Sequence, residues 1–133
     1  MGAWEMTNFG NDTAMDWIFN FEKDPTITLL EETIDSVFED DFLDSDIASE
    51  ALAALEIVAA AQGRRSPDFP EDITADRLVG IATSITPTFI EDCRKALERI
   101  IDTEDNELYE LWEEAGHAED WLNIENDLMT RLG

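Results

Sequence analysis

Ile47-Ala48-Ser49-Glu50-Ala51-Leu52-Ala53-Ala54-Leu55-Glu56-Ile57-Val58-Ala59-Ala60 is the stretch that decides the class of fold. Alanine and leucine are strong helix formers, and alanine lets a neighbouring helix approach closely. Ile47, Ala51, Leu55, Val58 and Ala59 recur at helical spacing, and no proline interrupts the run. Asp44 or Ser45 supplies a cap at its start and Gly63 a stop at its end.

The same reading extends in both directions. Towards the N-terminus, Asn11, Asp12 or Thr13 caps a helix from about Ala14, with Ala14, Trp17, Ile18 and Phe21 on one side, and Asp24-Pro25 ends it. Thr26 or Thr28 opens a second helix, whose Ile27, Leu30, Ile34, Val37 and Phe38 share a face opposite Glu31, Glu32, Asp35 and Glu39. Towards the C-terminus, residues 63–70 read as a loop and Glu71 to Ile85 as a short helix. Thr86-Pro87 caps and opens a helix carrying Ile90, Cys93, Leu97, Ile100 and Ile101. Asp105 or Asn106 caps another, with Leu108, Leu111, Trp112 and Ala115, which stops at Gly116. The last carries Trp121, Ile124, Leu128 and Leu132. No period-two alternation and no internal repeat occurs. The expectation is an all-α, single-domain bundle of six or seven helices over residues 1–133, with Leu30, Ile34, Leu55, Leu97, Ile100, Leu111 and Trp121 in its core. Trp4, Phe9 and Trp17 are expected to fold back onto the helices, and the Trp and Phe residues generally to lie in the core.

A chain of 133 residues and 15.1 kDa has the size of one domain, with a folded surface of about 7,000 Å². Its 44% apolar content suffices for a core without disulfides or metal. The one cysteine, Cys93, excludes an intrachain disulfide and fits a reducing compartment. The N-terminus lacks a basic region followed by an apolar run, and no apolar segment reaches membrane-spanning length. The chain reads as cytoplasmic.

Charge is the dominant compositional feature. Thirty-three acids against eight bases give a net charge of −25. Residues 21–62 hold twelve acids and one base, and residues 102–133 hold eleven acids and one base, around a nearly neutral middle. Such a surface repels nucleic acid and anionic membranes and attracts basic proteins.

The opening Met1-Gly2-Ala3-Trp4, followed by Phe9, Asn11-Asp12, Ala14 and Asp16-Trp17, resembles a small bacterial family known only as a domain of unknown function. That family begins with Met-Gly-Ala-Trp-Gly and continues Phe-x-Asn-Asp-x-Ala-x-Asp-Trp. The Ala-rich stretch before Gly63-Arg64 is similar to the family's Ala-rich helix. Glu107-Leu108, Leu111 to Gly116 and Trp121-Leu122 are similar to its C-terminal pair. Glu5 departs from the usual glycine, and His117 stands where a short polar cap is expected. The resemblance implies an all-helical single domain and no particular activity.

Catalytic signatures are lacking. No nucleophile elbow, phosphate loop, zinc-protease helix or dinucleotide fingerprint occurs. One His and one Cys do not make a zinc site by themselves. Cys93 lies on an apolar helix face and reads as a buried thiol, and His117 as a surface or capping residue. The calcium-like spacing of Asp44 and Asp46 lacks the glycine that a calcium loop requires.

The expected function is therefore that of a non-enzymatic interaction protein, without cofactor or metal, that binds and neutralises a basic protein. An immunity protein against a bacterial toxin, such as a nuclease, is the leading reading. A mimic of the nucleic-acid phosphate backbone is the alternative, and a carboxylate-dependent metal enzyme comes third. The expected contact residues are Glu39, Asp40, Asp41, Asp44 and Asp46, five carboxylates in the eight residues 39–46. Glu107, Glu110, Glu113 and Glu114 form a second choice as a helical stripe. Because like charges destabilise the folded state and salt screens them, raising ionic strength from near zero should raise the melting temperature. A melting temperature that falls steadily on adding salt would show that local ion pairs outweigh the repulsion.

Overall fold

The computed structural model describes residues 7–71 and 73–133. Among them the chain forms seven α-helices: α1 (Asp12–Lys23), α2 (Ile27–Asp35), α3 (Ser45–Ala61), α4 (Ala75–Ser84), α5 (Pro87–Ile101), α6 (Glu107–Glu114) and α7 (Ala118–Leu132). A 3₁₀ turn, Ser36–Phe38, follows α2, and the described residues contain no strand.

Local chemistry sets the helix ends. Asn11, Thr26, Asp44, Thr86 and Asn106 each accept a hydrogen bond from a backbone N–H of the first turn, at 2.8–3.2 Å. Each such cap stabilises by about 1 kcal/mol. Pro87 fills the first position of α5, where a missing N–H costs nothing. α3 and α6 end in the same way. Gly63 (φ 85°) and Gly116 (φ 81°) adopt the left-handed conformation. The following N–H groups of Arg64 and His117 then return to the carbonyls of Ala59 and Trp112, both at 2.9 Å.

α3 is the axis of the bundle. Twelve of its residues are buried, among them Ala51 to Ala60 without a break, and all six other helices pack against it. A helix apolar on every side has no face to give to solvent, so its neighbours must enclose it. The small alanines keep those neighbours close. The surface of 7012 Å² matches the value expected from the mass.

Leu30, Ile34, Leu55, Leu97, Ile100 and Trp121 are buried as expected. Phe9 packs edge-on against Phe69 (5.7 Å), and Trp17 stacks on Phe21 (5.4 Å) while its indole N–H donates to Thr33 Oγ1 (3.0 Å). The segment before α1 thus folds back onto the bundle; Trp4 and Glu5 lie outside the described residues. Burial pushes the Cys93 thiol up to about 12, which keeps it protonated. No described helix is long and apolar enough to cross a membrane.

Several expectations need correction. Phe38 is 53% exposed rather than on the buried face of the second helix. The cause is the 3₁₀ turn: three residues at about 120° each, instead of 100°, rotate Phe38 roughly 60° away from the row of Ile34. Phe19 and Phe42 are exposed too, so the phenylalanines are not uniformly core. Leu111 is only half-buried. In the short α6 the inward row is Leu108 and Trp112, four residues apart, and Leu111 sits at its rim. The fourth helix starts at Ala75, later than Glu71; Ile73 is buried ahead of it.

Leu55→Ala and Leu97→Ala should each destabilise the domain by about 2–5 kcal/mol, because neither fully buried site opens to water. Leu111→Ala should cost clearly less. Urea midpoints of the three variants check the order.

Candidate functional site

The two acidic clusters, distant in sequence, meet in space. Leu43, buried among exposed acids, donates its N–H to Asp105 O (2.7 Å) and accepts from Glu107 N–H (2.9 Å), an isolated parallel bridge between the segments before α3 and α6. Three further side chains fix the junction. Glu107 Oε1 accepts from the Ser45 N–H at the start of α3 (2.9 Å). Arg99 of α5 donates to the carbonyls of Asp41 (3.0 Å), Glu104 (3.1 Å) and Asp105 (2.8 Å). Asn106, completely buried, donates to Ile100 O (2.5 Å) and Asp102 O (2.8 Å) while capping α6. These bonds on its carbonyl hold Asp105 in the left-handed region (φ 49°), which few residues other than glycine adopt.

The nine expected contact residues divide into two groups. Asp44, Asp46, Glu107 and Glu113 are engaged within the fold. Asp44 caps α3, Asp46 accepts from Thr13 Oγ1 (3.1 Å), Glu107 holds Ser45, and Glu113 accepts from the Tyr109 hydroxyl (2.9 Å). Glu39, Asp40, Asp41, Glu110 and Glu114 are exposed, with no side-chain partner among the described residues. Burial first, then the neighbouring charges of Asp46 and Asp44, hold the Glu50 carboxyl above its usual range. Negative charge at the start of α3 is therefore already crowded.

Two residues of this ridge escaped the sequence reading. Phe38 (53% exposed) and Phe42 (48% exposed) flank Glu39, Asp40 and Asp41. Phe42 stands between helices, outside any apolar period, and that position was the signal available for it.

The basic residues leave the ridge charged. Arg64 donates to the carbonyls of Arg131 (2.6 Å) and Leu132 (3.5 Å), Arg77 to Glu22 O (2.7 Å) and Arg94 to Gly133 O (2.6 Å). These are helix-end carbonyls, where cations satisfy both the orphan acceptor and the helix dipole. Among the described residues, carboxylates form ion pairs only with Lys95 and Arg131, and Asp120 lies 4.0 Å from His117 Nδ1.

A family model described as a domain of unknown function (DUF4259) matches residues 2–123. The chain belongs to that family. Neither a curated protein nor a solved structure matches it.

Asn106→Ala removes a cap and leaves the buried Ile100 carbonyl, and the partly buried Asp102 carbonyl, without their Asn106 donor. It should cost about 2–3 kcal/mol, whereas Asp40→Asn with Asp41→Asn, which relieves like-charge repulsion, should not lower stability. Chemical denaturation separates the two, and equal midpoints would mean that the bridge does not hold the junction.

Proposed function

We propose that this domain is a non-enzymatic acidic docking protein that binds and neutralises a basic protein, in a bacterial setting an immunity protein against a toxin such as a nuclease. The observation that carries this reading is the ridge at the Leu43–Asn106 bridge, where exposed Phe38 and Phe42 flank exposed Glu39, Asp40 and Asp41 along the chain. Exposed aromatics in a charged rim have the anatomy of an interface: desolvated rings supply residence time, while rim charges steer approach and exclude wrong partners. The ridge is braced from α3, α5 and α6, so little ordering is left to oppose binding. Arg99 is outnumbered at the ridge by the surrounding carboxylates, so the net field there stays negative and attracts a basic partner.

Affinity capture from the source cell, followed by kinetics with the retained protein, tests this. The retained protein should be strongly basic. Glu39→Gln, Asp40→Asn and Asp41→Asn together should slow its association by roughly tenfold at low salt and flatten the salt dependence. Phe38→Ala with Phe42→Ala should act mainly on dissociation. A partner of neutral or acidic charge, or rates equal to wild type for both variants, overturns the reading.

A further inference from the structure

A second polar cluster lies inside the bundle, away from the ridge. Glu56, the one charged side chain in the unbroken buried run of α3, is 2% exposed. Arg131 of α7 grips it from both ends, Nη1 to Oε1 (2.7 Å) and Nη2 to Oε2 (3.0 Å). Arg131 Nε is held in turn by Asp127 (2.8 Å). Asn8, in the segment before α1, donates Nδ2–H to Glu56 Oε2 (2.8 Å). Glu56 and Arg131 thus balance one another, and Glu56 is fully hydrogen-bonded.

What remains is chemically lopsided. Asn8 Oδ1 and both carboxyl oxygens of Glu125 are buried without a hydrogen-bond partner among the described residues. All three are acceptors if Glu125 is ionised. An ionised Glu125 would also add a second buried negative charge beside Glu56, whose one cation is already engaged. A proton on Glu125 removes the charge and creates the missing donor.

We propose that Glu125 is protonated in the folded domain and donates its O–H to Asn8 Oδ1, so that one proton latches the segment before α1 onto α3 and α7. The latch then runs Glu125 to Asn8 to Glu56 to Arg131. Its two outer members lie on α7, its third on α3, and Asn8 closes it from the N-terminal segment.

The surroundings agree. Burial holds the Glu125 carboxyl well above the usual range, and the charge of Glu56 pushes the same way; Arg131 pulls against them, as would Asn8 if its amide donated to an ionised Glu125, whereas donation from Glu125 to Asn8 Oδ1 pushes with burial. Of the other helices packed on α7, α5 contributes the neutral Cys93 thiol to the core and sends Arg94 to the Gly133 carbonyl. α6 brings the Tyr109 ring against Trp121, with its hydroxyl turned to Glu113. A pocket of about 320 Å³, lined in part by Asn8, Glu56, Asp127 and Arg131, reaches the other members of the cluster.

A carboxyl whose folded value lies above its unfolded value stabilises the fold fully below the unfolded value, near 4.3 for Glu. That contribution is lost as pH rises through the folded value. Above it the ionised carboxylate no longer donates to Asn8, and the segment around Phe9 loosens from Phe69.

Carbon-13 titration of the glutamate carboxyls in the full chain, together with amide protection of Phe9 and Gly10 over the same pH range, tests the latch. One carboxyl, lost in Glu125→Gln, should titrate well above the rest. Protection of Phe9 and Gly10, corrected for intrinsic exchange, should fall at least tenfold across that same step. In Glu125→Gln, where an amide N–H replaces the proton, protection should persist through it. Asn8→Ala should loosen the segment at every pH. Titration of Glu125 among the exposed carboxylates overturns the proposal, as does a protection step that occurs elsewhere or survives in Glu125→Gln. Should that variant not fold, the wild-type coincidence of titration and protection decides alone.

Discussion

The enclosure of α3 is the constraint on which the rest of the structure depends. From Ala51 to Ala60 the helix has no face for water, so six other helices and the N-terminal segment are arranged round it. Its alanines put little side-chain bulk between it and its neighbours, and the helices have locally defined ends: five start on a bonded side-chain cap and two end on left-handed glycine. The one charge inside the enclosed run, Glu56, imposes a second requirement. It has to be paired, and Arg131 near the C-terminus does so, fastening the end of the chain to its middle.

Helices were legible in the sequence because their signals are local. The caps Asn11, Thr26, Asp44, Thr86 and Asn106 and the stop Gly63 are all choices that a few adjacent residues decide. The failures are equally physical. Phe38 fits the apolar row only if the α-helical turn angle continues, and nothing adjacent announces the change to a 3₁₀ turn. Leu111 and Trp112 are both apolar, and which one turns inward depends on where α6 meets α7. The central place of α3 was written in its lack of a polar side, although its even spacing of Ile47, Ala51, Leu55 and Val58 suggests an ordinary one-sided helix.

The acidic surface was legible only as two separate runs. Composition located the charge, but the contact between residues 39–46 and 102–110 rests on the pairing of Leu43 with Asn106, a long-range event without a sequence signature. That pairing changes what individual acids do. Asp44 and Glu107, which look like any other carboxylate in a run, are structural members of the junction, whereas Asp40 and Asp41 face water. Arg99 has a comparable double character. Its charge lies amid the acids, yet its hydrogen bonds go to three main-chain carbonyls.

The attachment of arginines to carbonyls has a consequence for behaviour in acid. Ordinary acid denaturation proceeds by protonating carboxylates that the native state needs in ion pairs. Here the carboxylates tied to arginine among the described residues are Glu56 and Asp127, so most of the surface charge is discharged without breaking an internal bond. Near the isoelectric point of about 4.1 the molecules therefore lose their mutual repulsion while still folded, with Phe19, Phe38 and Phe42 on the outside. Colloidal stability should therefore fail before conformational stability does, and a precipitate formed there should consist of native protein that redissolves when its charge is restored.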